Sequence, residues 1–497
     1  MLEAFAHLLT SSAFFVMAAG VLVGIAVGIL PGITTGMMMA LVLPFTYGMS
    51  STDAVVLLIG IYVGGVSGGL VTATLMRMPG EPNAIMTCLD GYPLAKAGHP
   101  GRALGLGNAG SIVGGAISWV ALVLIAQPLS RVAIVFGPWE QFALVCAALV
   151  MIVSLSGKSL LKGLIAAMLG MLLAMPGIDP SSGLQRLTFG AGWLTAGLDI
   201  LPVMIGMFAL SQIIADTLHL ETNQAVIRSS MRGILISLHD YVRHGRNMLR
   251  SSLIGIGIGI LPGVGASVSS IVAYTTAKKV SKEPEKFGKG SEEAIVAAES
   301  ANNATTGGTL IPVLTLGIPG GLADAVLLSA LILHNLQPGP MLYVRSPEIV
   351  NTILATHLVA HVMMFSLMTV GVLLFARLMT ISRAWIFPAV LVICVVSTFA
   401  LNNRPADIWV MLAFGVVGYA LEYVKAPLAP LLIGFLLAPL AEAQLRTGLM
   451  ASGGDFLAIF DRPIAVAFLL VGIAMLAWPP VAAAIRRHRQ EQPLAGS

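Results

Sequence analysis

The residues of this chain that can do chemistry are few, and most of them interrupt apolar segments. The densest group is Glu299-Ser300-Ala301-Asn302-Asn303-Ala304-Thr305-Thr306, which runs into the apolar stretch 309–316. Oxygens of Asn302, Asn303, Thr305 and Thr306, with backbone carbonyls, suit a dehydrated Na⁺ or a polar solute, and Glu299 suits a proton. The competing reading is a capped helix start with Glu299 in solvent. His357 and His361 stand four residues apart in an apolar segment. No third ligand follows at a recognisable spacing and the zinc-protease Glu is missing, so a hydrogen bond between helices is the better reading. No phosphate-binding Gly-x-x-x-x-Gly-Lys loop, nucleophile motif or cofactor fingerprint stands out. The chain therefore reads as neither an ATP motor nor an enzyme.

A second kind of chemistry lies in the backbone. The segment Gly24-Ile25-Ala26-Val27-Gly28-Ile29-Leu30-Pro31-Gly32 recurs as Gly255-Ile256-Gly257-Ile258-Gly259-Ile260-Leu261-Pro262-Gly263. Each copy is apolar enough for a bilayer and ends in a Pro-Gly that stops a helix partway across. A second break follows in each half, Arg77-Met78-Pro79-Gly80 and Gly317-Ile318-Pro319-Gly320-Gly321. Gly24 to Gly255 is a shift of 231 and Pro79 to Pro319 a shift of 240, so the second half holds nine extra residues, assigned to the polar insert around 281–290.

Irregular backbone at membrane depth is tolerated only where it is buried in protein or lines a polar cavity. The helices restarting at residues 33–35 and 264–267 would present free amides and a positive dipole end to the break, which suits an anion. The candidate substrate-binding residues are therefore Pro31, Gly32, Thr34, Thr35, Pro79, Gly80, Pro262, Gly263, Gly265, Ser267, Pro319, Gly320 and Gly321. One isolated Pro-Gly would read as a kink. Paired interruptions at corresponding positions instead point to the binding site of a secondary transporter. The stripe Gly60-x-x-x-Gly64-x-x-x-Gly68, doubled by Gly65 and Gly69, reads as a close helix-packing face.

The elements that must position these residues follow from composition. Of 497 residues, 57% are hydrophobic and 10% charged, and the mean hydropathy of +0.91 lies outside soluble usage. A spanning helix needs about 20 apolar residues. Near that length are 54–76, 104–125, 142–155, 160–175, 200–214, 349–375, 386–401, 408–421, 427–438 and 463–478. The expected fold is an all-α polytopic membrane protein of about a dozen helices in two inverted repeats, with broken, partly re-entrant helices. Three scattered cysteines, Cys88, Cys146 and Cys394, make neither a disulfide framework nor a metal cluster. The start lacks the basic flank of a secretory signal.

Charge supplies an orientation. The first basic residue other than histidine is Arg77, so the unit 12–48 has no positive flank, whereas 251–277 is bracketed by Arg243, Arg246, Arg250, Lys278, Lys279 and Lys282. Basic loops collect on the cytoplasmic side. The second unit is expected to dip in from the cytoplasm and the first to open outward. Arg486, Arg487 and Arg489 place the C-terminus in the cytoplasm. The expected division is a first repeat over 1–216, an amphipathic basic linker helix over 217–250, a second repeat over 251–440, and a final helix with a basic tail over 441–497.

At this point the chain resembles the large membrane subunit of the bacterial tripartite tricarboxylate transporters. The resemblance rests on the paired Ile-Leu-Pro-Gly elements and on Gly68-Gly69 leading to Met78-Pro79-Gly80. It rests also on Asp90-Gly91-Tyr92-Pro93-Leu94-Ala95-Lys96-Ala97-Gly98, on residues 299–303 and on Thr315-Leu316-Gly317-Ile318-Pro319-Gly320-Gly321. It implies an inner-membrane uptake system with a small four-helix membrane subunit and a periplasmic solute-binding protein. It also implies transport of carboxylates, citrate-like ones included, driven by an ion gradient (Na⁺ or H⁺) without a bound cofactor. Arg77 departs from the pattern, standing where a small or polar residue is expected. The rival class is a gated anion channel with the breaks as its filter.

Overall fold

The computed structural model describes residues 1–30, 32–155, 159–179, 182–218, 227, 232–263, 265–378 and 383–490. The first half carries α1 Leu2–Thr10, α2 Ala13–Ile29, α3 Thr35–Val42, α4 Ser51–Met76, α5 Ile85–Lys96, α6 Pro100–Ala133, α7 Pro138–Leu155, α8 Leu160–Leu173, α9 Ile200–Met204 and α10 Ser211–Leu218. The second carries α11 Leu238–Gly259, α12 Gly265–Val280, α13 Glu292–Leu316, α14 Leu322–Leu333, α15 Pro340–Arg345, α16 Pro347–Leu378, α17 Arg383–Asn402, α18 Pro405–Tyr423, α19 Leu428–Ala451 and α20 Pro463–Gln490. A π-turn at Ile205–Leu210 joins α9 to α10 in one rod. The antiparallel pair Gly177–Ile178 with Gln185–Arg186 is the one sheet among the described residues.

The chain is an all-α polytopic membrane protein. Among the described residues six helices are long and apolar enough to cross a bilayer, and the pair Leu2–Thr10 and Ala13–Ile29, bent by 79°, makes a seventh if counted as one span. The remaining apolar helices, such as Thr35–Gly48 and Leu322–Leu333, are shorter. The dozen apolar segments thus become a mixture of full spans and half-length helices, because the Pro-Gly and loop breaks cut several below the length of a bilayer.

Two compact units form, and they cut across the halves drawn from sequence: residues 1–134 with 199–420, and residues 135–198 with 421–497. The expected linker helix does not stand apart either. Residues 232–237 are non-helical, the Ser237–Asp240 capping box opens α11, and that helix runs on to Gly259 across the 250/251 boundary. Of the apolar stripe Ile227, Met231, Ile234 and Leu238 that marks the linker as amphipathic, Ile227 and Ile234 are non-helical, Leu238 opens α11, and Met231 lies outside the described residues.

In the larger unit, α4 and α13 are the buried axes; the most apolar window of α4 is 94% buried. Glycine lets a neighbour lie directly on each. A Cβ on Gly28 would stand 2.9 Å from the Gly68 Cα, and one on Gly259 would stand 3.0 Å from the Gly308 Cα. A Cβ on Gly24 would overlap the Ile61 carbonyl, and one on Gly255 the Ala301 carbonyl. The pairs α2–α4 and α11–α13 thus touch through residues related by the sequence shifts of 231 and 240. The stripe Gly60, Gly64 and Gly68 meets the backbone of Met17, Val21 and Ile25, as a small-residue face should. The α13 axis is clamped at its start by Arg102, whose guanidinium donates to Asp240 at 2.6 and 2.8 Å and to Glu292 at 2.8 and 3.0 Å.

In the smaller unit α8 packs on α19 and α7 on α20. A Cβ on Gly163 would stand 3.0 Å from Val153, and Cβ atoms on Gly170 and Gly434 would overlap the carbonyls of Leu431 and Ala167. Arg186 of the short hairpin donates to Glu442 at 2.5 and 2.8 Å and to the Met175 carbonyl, and Arg446 reaches Asp179 at 2.7 Å. Trp139 stands edge-on to Phe456.

Candidate functional site

Each long axis ends in left-handed backbone: α4 at Arg77 (φ 56°) and α13 at Gly317 (φ 69°). These positions are again 240 apart. Arg77 therefore occupies the slot that glycine fills without strain in the second half, and its guanidinium lies 6.0 Å from the Tyr92 ring. Beyond each cap comes the Pro-Gly turn. Gly80 is buried so tightly that a Cβ would overlap the Gly28 carbonyl, and the Gly263 amide donates to the Gly320 carbonyl at 2.9 Å.

The first break is already filled by the protein's own carboxylate. Glu81 Oε1 accepts from both the backbone N–H and the hydroxyl of Thr35, at the start of α3. Thr34 caps the same helix, accepting from the Met37 amide at 3.3 Å. Gly32 has φ 96°, and a Cβ there would overlap the Asp216 carboxylate. So the amides at 32–35, read from sequence as free for a ligand, face two acidic side chains. Pro31 lies outside the described residues.

The second break has the same character. Asp324 sits in the first turn of α14, 2% exposed, against the Gly321 amide and the hydroxyls of Tyr62 and Thr309. Tyr62 and Thr309 are 3.0 Å apart and tie α4 to α13. Asp324 Oδ1 is buried with no hydrogen-bond partner among the described residues. A Cβ on Gly36 of α3 would stand 3.1 Å from the Ala323 amide of α14, which brings the two restarted helices side by side. Gly265 (φ 69°) and Ser267 line the half-exposed rim at the start of α12. The breaks thus meet through Leu322 and Ala323 against Gly36, and the polar side chains on either side of that contact are the carboxylates and hydroxyls of Glu81, Thr35, Asp324, Tyr62 and Thr309. Among the described residues neither Glu81 nor Asp324 has a basic partner.

The segment 299–306 behaves differently. It lies in the middle of α13, fully buried, so Glu299 is not a solvated helix start. Glu299 Oε1 accepts from Thr87 at 2.5 Å and Oε2 faces Ser111 at 3.4 Å; Asn303 donates to Ser111 at 2.8 Å and accepts from Ser67 at 2.7 Å. Asn302 turns to the Val66 carbonyl at 3.2 Å, Thr305 to Ser269 at 2.6 Å and Thr306 to His357 at 3.0 Å. The four residues radiate toward α4, α6, α12 and α16, and they do not converge on one ion. The His357 contact is the helix–helix hydrogen bond expected; His361 turns instead to the His357 carbonyl of its own helix at 2.8 Å.

Sequence reasoning missed Glu81 and Asp324. A signal was present: Glu81 is the one acidic residue between Asp53 and Asp90, and Asp324 the one between Glu299 and Glu348. Each follows a Pro-Gly break within five residues. An intramembrane carboxylate is functional until shown otherwise.

With the geometry in place, comparison with known proteins gives a family. Residues 14–433 match the tripartite tricarboxylate transporter TctA family. This chain belongs to that family. One relative, from Agrobacterium vitis, is an uncharacterized 52.8 kDa protein in the TAR-I ttuC' 3' region, 35% identical over 92% of this chain and 90% of its own length. A second from the same organism, in the TAR-II ttuC' 3' region, is 35% identical over 44% of this chain and 89% of its own length. No solved structure matches the chain significantly. TctA membership makes the chain a multi-pass membrane transporter subunit rather than an enzyme, and one part of a system with further subunits.

Proposed function

We propose that this TctA-family subunit performs ion-gradient-driven secondary uptake of a citrate-like tri- or dicarboxylate across the bacterial inner membrane. A periplasmic solute-binding protein feeds it, and a small four-helix membrane subunit completes the assembly. The reading rests on one observation above all. The pairs α2–α4 and α11–α13 make the same glycine contacts in the same register, and each pair leads into two breaks. Inverted repeats with broken helices at their junction are the architecture of alternating access around a fixed central site.

In this reading the substrate carboxylates lie at the junction of the breaks, reached from the rim at Gly265 and Ser267. They lie beside Gly32, Thr34, Thr35, Gly80, Gly263, Gly320 and Gly321, where an incoming carboxylate takes over donors that Glu81 now occupies, the Thr35 amide and hydroxyl. Pro79, Pro262 and Pro319 hold their turns open, and Pro31 is assigned the matching role from the sequence alone. The acidic lining means that an anion enters only together with a positive charge, which favours a symporter over an anion channel.

Uptake by vesicles holding the assembled membrane subunits, with purified receptor and a panel of labelled di- and tricarboxylates, tests it. The expected result is receptor-dependent accumulation that stops when ion gradients are collapsed. Flux that persists down the substrate gradient alone, at channel rates, would establish the pore instead.

A further inference from the structure

At the second break a carboxylate oxygen is buried with no hydrogen-bond partner among the described residues. It is Asp324 Oδ1, and the carboxyl faces the Gly321 amide and the linked hydroxyls of Tyr62 and Thr309. Removing an ionised carboxylate from water without a counter-ion is costly enough that such groups take up a proton instead. A dehydrated Na⁺ would need several oxygens at once. Here the Tyr62 and Thr309 hydroxyls are tied together at 3.0 Å and Thr309 donates on to the Thr306 carbonyl at 3.1 Å, so the oxygens around Asp324 are arranged by bonds within the protein.

The surroundings are otherwise sparse in charge. On α4 the titratable residues are Asp53, at the far end of the helix, and Tyr62; Glu81, which follows α4, lies within electrostatic reach of Tyr62. Helix α3 carries none, and the exposed Tyr47 follows it. On α13 the titratable residues are Glu292, Glu293 and Glu299, all well before Thr309. His334 closes the far end of α14 and bonds Thr46 at 3.2 Å.

We propose that Asp324, held by Tyr62 and Thr309 at the second break, is the site that loads and releases the coupling proton. The assignment rests on the transport reading above and names its coupling ion. Loading forms one O–H bond at the carboxyl from a proton on the outer side, and release returns that proton to the inner side, with no other bond changed. A protonated Oδ1 is a donor, and an incoming substrate carboxylate is its natural acceptor, so each promotes binding of the other. Proton and anion affinities are then linked by one coupling free energy.

The test has two arms, run on the assembled membrane subunits in sealed proteoliposomes with receptor. In infrared difference spectra without substrate, the wild type is expected to show a protonated-carboxyl C=O band. That band is lost in Asp324→Asn, kept in Asp324→Glu, shifted in Tyr62→Phe and insensitive to added Na⁺. With labelled citrate and succinate, an imposed pH gradient drives accumulation in the wild type. In Asp324→Asn that accumulation is lost while exchange across the membrane stays measurable. A band that survives in Asp324→Asn, a band displaced by Na⁺, or undiminished pH-driven accumulation in that variant would overturn the assignment. If the wild type moves neither carboxylate, the substrate reading fails, and the infrared arm still decides the proton site. Gel filtration of each variant separates misfolding from loss of coupling.

Discussion

The Asp90 carboxylate stands 2.7 Å from the backbone nitrogen of Ser291, the N-cap residue of α13. The same carboxylate accepts from the amides of Gly288 and Gly290 at 2.9–3.0 Å and from the Tyr274 hydroxyl at 2.8 Å. The Asp-Gly-Tyr-Pro motif of the first half thus pins the loop that feeds the central helix of the second. Hydrogen bonds to a charged group contribute about 1.5–3 kcal/mol each, and an amide side chain can accept at only one of its two ends. Asp90→Asn should lower the melting temperature of the detergent-solubilised protein, and Asp90→Ala should lower it further. An unchanged melting curve in both would show the loop to be held by other contacts.

The glycine contacts predict a matched pair of failures. Gly24→Val and Gly255→Val both drive a side chain into a carbonyl of the facing axis, and no flexible side chain stands there to yield. Both should lose folded protein to a similar degree in size-exclusion profiles. Gly257→Val, on the same helix as Gly255 but with no atom within 4 Å of its Cβ position, should express normally. A large difference between the two halves would mean that the repeated register is not equally load-sharing.

Orientation is open to a labelling experiment. Ser51 opens α4 and Ser281 lies in the basic loop after α12; both are partly exposed. In a background without reactive native thiols, Ser51→Cys should react with an impermeant maleimide from outside. Ser281→Cys should react only after permeabilisation. Reaction of both from one side would exclude inverted repeats.

A pH effect is expected at the clamp on α11. Asp240, in the polar first turn of that helix, is hydrogen-bonded by the Arg102 guanidinium, which holds its carboxyl well below the usual carboxylate range, with a smaller contribution from Ser237. A lowered folded value contributes stability that is fully present above the unfolded value of about 3.9 and is lost as pH falls through the folded one. The melting temperature should therefore show no dependence on this pair from pH 5 upward and should fall with acid below about pH 4. Asp240→Asn should lower it at neutral pH and flatten that acid limb. A limb as steep as the wild type's would assign the acid sensitivity elsewhere.

Much of the fold was legible along the chain. The repeated Gly-x-x-x-Gly and Pro-Gly strings gave the close helix pairs and the four breaks, because glycine spacing and proline's missing donor act within a turn or two. The same local logic misjudged the linker. The basic, amphipathic pattern around 227–243 reads as one interfacial helix, yet the Ser237–Asp240 cap starts a new helix that runs on into the apolar unit. Polar residues on α13 were also misjudged as a group, since adjacency in sequence does not put side chains on one face of a helix.

What the sequence determined by itself is therefore the membrane class, the paired Pro-Gly strings of its two halves and the family, all of which are written in local composition and spacing. Only the tertiary structure decided which polar groups converge. Asn302, Asn303, Thr305 and Thr306 are neighbours in the chain but satisfy four different helices, whereas Thr35 and Glu81, or Tyr62 and Asp324, are distant in the chain and meet at the breaks. The physical reason is burial. In a bilayer every polar group must find a partner within the protein, and which partners remain, and which oxygen is left without one, is settled only when the helices have packed.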